Sequence, residues 1–239
     1  MIEFRGLAKQ FGTRIVLRDI DLAIVPGRIT GIIGPNGAGK TTLMKSILGL
    51  VRADCGDVVV DGTVVDAARD ATYRSRIGYM PQIARFPENL STAELFAMLR
   101  DLRGDTRPVD QQLVQQLGLQ TYLDTPLRVL SGGTRQKVNA ALAFAFTPDL
   151  LILDEPTAGL DPVAAGILKD KILEQRELGR TVVITSHILA ELDELCDDVV
   201  FLLDGTVRFA GSVHDLKLRT RQFSLERAVA AMMTAGAAA

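Results

Sequence analysis

Cysteine, excess charge and long apolar runs are what this sequence has least of, and each shortage closes off a class of function. Only two cysteines occur, Cys55 and Cys196, in unrelated surroundings. They form neither a C-x-x-C pair nor a disulfide framework, so a reducing compartment is expected. The two histidines, His187 and His214, are as scattered as the cysteines, which argues against a zinc-type cluster. The formal net charge is −2, and nothing in it favours nucleic acid or an anionic membrane surface as the main partner. No run approaches the roughly 18 consecutive apolar residues of a membrane span. The opening Met1-Ile2-Glu3-Phe4-Arg5 lacks the basic-then-apolar build of a signal peptide, so a cytoplasmic chain is expected.

What is present fits one large α/β domain, or one domain with an inserted subdomain: 239 residues, 47% hydrophobic and 23% charged. The first third reads as strands. Ile15 to Val25 and Ile29 to Ile33 are rich in β-branched and aliphatic residues, and Val58 to Val65 forms a hairpin around Asp61-Gly62. A helix is expected from Lys40 to about Leu50, with Leu43, Ile47 and Leu50 on one face. Residues 86 to 145 read as a helical insertion. It opens with a capping-box spacing at Ser91-Thr92-Ala93-Glu94 and an apolar stripe of Leu95, Leu99 and Leu102, stopped by Gly104. Leu113, Val114 and Leu117 mark a second helix, ending near Gly118.

Alternation then resumes. Leu150 to Asp154 is a buried-type strand. Asp161-Pro162 has the N-cap and first-position residues of a helix that Gly179 ends, and Thr181 to Thr185 is another strand. Val199 to Leu203 and Thr206 to Ala210 make a hairpin around Asp204-Gly205. Apolar strands alternating with helices predict a largely parallel sheet covered on both faces. Domain limits are placed at 1–216, with 217–239 as a helical tail whose alanine-rich end frays.

Three segments carry chemistry. Gly34-Pro35-Asn36-Gly37-Ala38-Gly39-Lys40-Thr41-Thr42 matches G-x-x-x-x-G-K-[ST], between a strand and a helix. Glycines let the backbone aim its N–H groups at phosphate oxygens, and the helix adds its positive end. Lys40 is expected to reach the β- and γ-phosphates, and Thr41 to ligate Mg²⁺. Asp154 and Glu155 end a buried strand, where such sheets bind ligands. Alone they would be two solvated acids; with a P-loop upstream, Asp154 suits the Mg²⁺ shell and Glu155 the base for an attacking water. Ser131-Gly132-Gly133 precedes a helical stretch from Thr134 to Phe146; alone it reads equally as a common loop, and in combination with the other motifs it is a second phosphate-binding device.

With these motifs in this order, from about Ile2 to Ser212, the chain resembles the nucleotide-binding subunits of ABC transporters. That resemblance implies a P-loop NTPase of ABC type: an α/β mixed sheet with an N-terminal antiparallel β subdomain and an inserted helical subdomain. It implies ATP and Mg²⁺ as ligands, a second ATP-binding subunit (a homodimer) and integral membrane permease subunits as partners, and no nucleic acid. The chain would then sit at the cytoplasmic face of the membrane through the permease. The resemblance also adds roles. Ser131, Gly132 and Gly133, in Leu130-Ser131-Gly132-Gly133-Thr134-Arg135-Gln136, would contact the γ-phosphate held by the opposite protomer; Thr134 departs from the glutamine usual there. Gln82 would join the Mg²⁺ and water site, His187 would orient the water, and Gly159-Leu160-Asp161-Pro162 would cross the dimer interface. Phe11 stands where the family stacks an aromatic on adenine; a core phenylalanine is the competing assignment. Tyr79 to Asn89 resembles the subunit that serves copper-site maturation of nitrous oxide reductase, which would add copper or sulfur delivery and a periplasmic accessory protein. The competing function is a non-transport ABC ATPase acting on ribosomes or DNA.

Overall fold

A computed structural model describes residues 1–66, 72–105 and 109–236. The elements in order are β1 (Ile2–Phe11), β2 (Arg14–Ile24), β3 (Ile29–Ile33), α1 (Lys40–Ile47), β4 (Cys55–Val60) and β5 (Thr63–Val64). β6 (Ile77–Met80), α2 (Thr92–Arg103), α3 (Gln112–Gln116), α4 (Gly132–Phe144) and β7 (Leu150–Asp154) follow. The chain continues through α5 (Pro162–Glu177), β8 (Thr181–Thr185), α6 (Leu189–Leu195), β9 (Asp198–Leu203), β10 (Thr206–Ser212), α7 (Val213–Thr220) and α8 (Leu225–Gly236).

Two sheets result. An antiparallel sheet has the order β2-β1-β4-β5. The central sheet has the order β10-β9-β3-β8-β7-β6, parallel except for the β10 edge. The apolar runs of its strands are explained by burial on both faces. Ile29, Ile33, Leu151, Leu153, Val182, Ile184, Val199 and Phe201 join the core under the helices α2 to α8. Their neighbours Ile32, Leu150, Ile152, Val183, Val200 and Leu202 join a second core with α1 and the antiparallel sheet. Side chains of successive strand residues point to opposite faces, so a strand packed on both sides must be apolar throughout.

Local signals act as their chemistry requires. Both Asp-Gly turns have two left-handed residues (Asp61 φ 49°, Gly62 φ 81°; Asp204 φ 50°, Gly205 φ 75°), as a tight hairpin needs. The capping box at α2 closes in both directions. The Ser91 amide donates to the Glu94 carboxylate at 2.8 Å, and the Glu94 amide donates to the Ser91 hydroxyl at 3.2 Å. Asp161 caps α5 by accepting from the Ala164 amide at 2.8 Å.

Three expectations need correction. α1 stops at Ile47, because Gly49 turns left-handed (φ 62°), and Leu50 is left 57% exposed. In α2, Leu95 and Leu99 face the core with Phe96 and Met98, but Leu102 is 75% exposed. Arg103 takes the inward place in the last turn: its guanidinium donates to the carbonyls of Ser75 (2.8 Å) and Ile77 (2.9 Å) and lies over the Phe146 ring. The C-terminal segment is no fraying appendage over its first half, since Leu225, Ala228 and Val229 are buried in the main core.

The sequence pattern does not single out β6. It is four residues long with a glycine inside, and only packing explains that glycine: a Cβ on Gly78 would stand 2.1 Å from the Ala143 carbonyl oxygen. Among the described residues no helix is long and apolar enough to cross a membrane.

The two cysteines differ in reactivity. Cys55 is exposed. Burial, together with the carboxylates of Asp197, Asp198 and Asp193, pushes the Cys196 thiol far above the ordinary thiol range. Maleimide at neutral pH is therefore expected to add once to the native protein, at Cys55, and twice after unfolding. Intact-mass spectrometry checks this, and two rapid native adducts would contradict it.

Candidate functional site

Four parallel strands of the central sheet each deliver one functional segment at the C-terminal end. β3 leads into the glycine loop, β7 ends at Asp154 and runs into Glu155, β8 leads to His187, and β6 leads to Gln82. These side chains meet in one open cleft of about 300 Å³. Its walls include Phe11, Asn36, Gly37, Gly39, Lys40, Thr41, Thr42, Gln82, Asp154, Glu155 and His187.

The loop is shaped by its glycines. Gly34 (φ 151°) packs so closely on β9 that a Cβ would stand 2.2 Å from the Leu202 carbonyl oxygen. Gly39 (φ 106°) precedes α1, and among the described residues no side chain caps the helix, which leaves its first amides toward the loop uncapped. That is the arrangement that receives phosphate. Gly34, Pro35 and Ala38 do not line the cleft. Gly34 and Pro35 instead offer carbonyl oxygens to the Lys40 ammonium, at 2.7 and 3.2 Å, and Ala38 is buried. Burial lowers the Lys40 pKa, while Glu155 and Asp154 oppose that fall.

The acidic pair is organised by Thr185, which sequence reasoning did not identify. Its hydroxyl donates to Asp154 Oδ1 at 2.6 Å and accepts from the Glu155 amide at 3.2 Å. Glu155 sits at φ 53°, a conformation costly for a side-chain-bearing residue and held by the bond of its amide to the Thr185 carbonyl (3.1 Å). Both carboxylate oxygens of Glu155 are engaged by one residue. Oε2 accepts from the His187 amide at 3.1 Å, and Oε1 lies 3.2 Å from His187 Nε2. Asp154 and Glu155 are each 7% exposed, so they are not the solvated strand-end acids of the alternative assignment. Behind them, Glu191 accepts from the hydroxyls of Thr157 (2.8 Å) and Ser186 (3.3 Å), tying the segment after β7 to the segment after β8.

Phe11 is 50% exposed at the end of β1 and lines the cleft, which removes the core-phenylalanine alternative. Arg14 and Val16 on β2 line it as well. No sequence signal pointed to them; a β-hairpin crossing brings them beside Gly37. The cleft's donors fit the expected ligands. Amides at a helix start, Lys40 and Arg14 suit a polyphosphate. The Thr41 hydroxyl, the Gln82 amide and the Asp154 carboxylate are hard oxygen donors of the kind Mg²⁺ takes.

Ser131, Gly132 and Gly133 are not in this cleft. They form the start of α4, where the Ser131 hydroxyl accepts from the Thr134 amide at 3.1 Å. Gly133 lies against the 159–161 loop, close enough that a Cβ would meet the Gly159 carbonyl oxygen at 3.3 Å.

Comparison with known proteins agrees with this geometry. Residues 17–158 match the family model described as ABC transporter. The chain is 34% identical over 223 residues to a lipopolysaccharide export system ATP-binding protein LptB of Acidithiobacillus ferridurans, covering 90% of this chain and 92% of that protein. It is 33% identical over 220 residues to a Nod factor export ATP-binding protein I of Burkholderia lata, covering 90% of this chain and 72% of that protein. A solved ATP-binding subunit of an ABC transporter superposes with a TM-score of 0.91 at 30% identity, over 98% of this chain and 99% of that one. The chain belongs to the ABC transporter family, as one of its ATP-binding, ATP-hydrolysing cassettes.

Proposed function

We infer that the chain powers a membrane permease by closing and opening as an ATP-gated dimer. One observation supports this most: the residues expected at a γ-phosphate fall into two separate sets. Lys40, Thr41, Gln82, Asp154, Glu155 and His187 share one cleft, whereas Ser131 to Gly133 lie outside it. A second protomer facing head to tail would bring its own Ser131-Gly132-Gly133 to the open side of that cleft. A dimeric ATP-binding cassette in a post-hydrolysis state with ADP and phosphate shares the fold (TM-score 0.80, 23% identity).

The geometry supports the following division of labour. The loop amides and Lys40 hold the phosphates, and Phe11 offers a ring face for the base. Thr41, Asp154 and Gln82 are the residues that would hold Mg²⁺, which when bound neutralises charge on the phosphate oxygens. Glu155 accepts the proton of the water that attacks the γ-phosphorus as the bond to the ADP oxygen breaks. His187 holds the Glu155 carboxylate in place and orients the same water. Once phosphate leaves, the two half-sites no longer share a charge, and the dimer separates. We assign residues 1–216 to the ATPase domain, 86–145 to its helical insertion and 217–239 to a C-terminal segment that is helical over Leu225–Gly236, with 67–71, 106–108 and 237–239 outside the described residues.

The partner is a membrane permease, and both named relatives serve export, which supports an export system. Copper or sulfur delivery, with a periplasmic accessory protein, rests on the segment Tyr79 to Asn89 alone, where Met80 is buried and Ile83 is 73% exposed beside Gln82. Analytical ultracentrifugation of the Glu155→Gln chain should show ATP–Mg²⁺ converting monomer to dimer. A chain that stays monomeric at tens of micromolar would contradict the dimer. Copurification with a polytopic membrane protein supports the transporter; copurification with ribosomes or DNA would support the non-transport alternative.

A further inference from the structure

Ser131 has a neighbour whose chemistry the assignment above leaves unused. Its hydroxyl carries one hydrogen and two lone pairs. The Thr134 amide donates into one lone pair at 3.1 Å, which is the helix cap. The Thr134 hydroxyl oxygen lies 2.8 Å from the Ser131 hydroxyl oxygen, and either can be the donor. Among the described residues the Thr134 hydroxyl bonds to nothing else. Ser131 is exposed and Thr134 half-buried, so Ser131 faces outward while Thr134 backs it.

An ionised phosphate oxygen can only accept. If Ser131 gives its hydrogen to a phosphate, its second lone pair is left for the Thr134 hydroxyl to fill. We propose that Thr134 is a positioning residue for the ATPase reaction: its O–H donates to Ser131, and Ser131 O–H donates to the γ-phosphate of the facing protomer. This rests on the assignment of Ser131 to that phosphate. The chain of donors has two consequences. The Ser131 rotor is fixed with its hydrogen outward before the protomers meet. Donation into the Ser131 oxygen strengthens the bond Ser131 makes in turn.

Three variants separate this from a structural role. Thr134→Val keeps the shape and the backbone amide that caps α4 but loses the hydroxyl; Thr134→Ser restores the hydroxyl; Ser131→Ala removes the group being positioned. Each is assayed for ATP turnover, for ATP-dependent association in the Glu155→Gln background, and for thermal unfolding without nucleotide. Thr134→Val is expected to lower kcat/KM about five- to tenfold and to weaken ATP-dependent association by a similar factor, as loss of one supporting hydrogen bond to a charged contact would. Thr134→Ser is expected to recover to within about twofold, with nucleotide-free unfolding little changed in either. Wild-type turnover and association in Thr134→Val, with Ser131→Ala impaired, would overturn the relay alone. Equal losses in Thr134→Val and Thr134→Ser would also overturn it, because the hydroxyl would not be the cause. Unimpaired Ser131→Ala would overturn both the relay and the phosphate assignment beneath it.

Discussion

Glu155→Gln should reduce steady-state ATP hydrolysis to about 1% of wild type or less, while ATP binding persists and the ATP-bound dimer accumulates. The magnitude is that of a lost general base, roughly 10²- to 10⁴-fold. Glu155 is well placed for that part. It is almost fully buried at the end of β7, its backbone is held in a left-handed conformation, and its carboxylate is fixed by the His187 amide and ring. Glutamine matches the size and can still accept from the His187 amide, so the local fold should survive. What it cannot do is take a proton from water. Removing a buried negative charge beside the phosphates also lessens repulsion, so nucleotide affinity should hold or rise. Phosphate release gives the rate and size-exclusion chromatography with ATP–Mg²⁺ gives the dimer. Wild-type turnover in this variant would remove Glu155 from the role of base.

Lys40→Ala should weaken ATP affinity by about a hundredfold, which is about 2.7 kcal/mol at 25 °C. Lys40 is a cation facing two buried carboxylates, and without nucleotide its ammonium is satisfied by the Gly34 and Pro35 carbonyls. Loss of the cation removes a charge-assisted contact to phosphate. It also leaves Asp154 and Glu155 repelling the triphosphate with less compensation. Both terms act in the same direction, which is why the expected effect is large. Fluorescent-nucleotide titration or calorimetry checks it, and an unchanged Kd would contradict the P-loop assignment. The stability cost should be small by comparison, since two hydrogen bonds to the Gly34 and Pro35 carbonyls are lost.

The features legible in the amino-acid order are those whose signal is short in range. The Gly34–Thr42 loop, the two Asp-Gly hairpins, the Ser91–Glu94 capping box and the Asp161 cap are each decided by neighbouring residues, and each stands where expected. The strands β3, β7 and β8 are legible too, because burial on both faces demands an unbroken apolar run. Helix ends and faces are read less well. Leu50 and Leu102 fit a 3.6-residue period, but the first lies past a left-handed glycine. The inward place of the second is taken by Arg103, whose partners Ser75 and Ile77 are far away in sequence.

By itself, then, the amino-acid order singled out the glycine loop, the paired acids at a strand end and the helix caps, because spacing around glycines, caps and strand ends is a local property. Only the tertiary structure decided how those residues combine. Thr185 orients both acids, and His187 holds Glu155 by backbone and ring alike. Arg14 joins the cleft from another sheet, and Ser131 to Gly133 stand apart from it. The reason is geometric: parallel strands distant in sequence end side by side, so the contacts that assemble the site join residues some 30 or more positions apart.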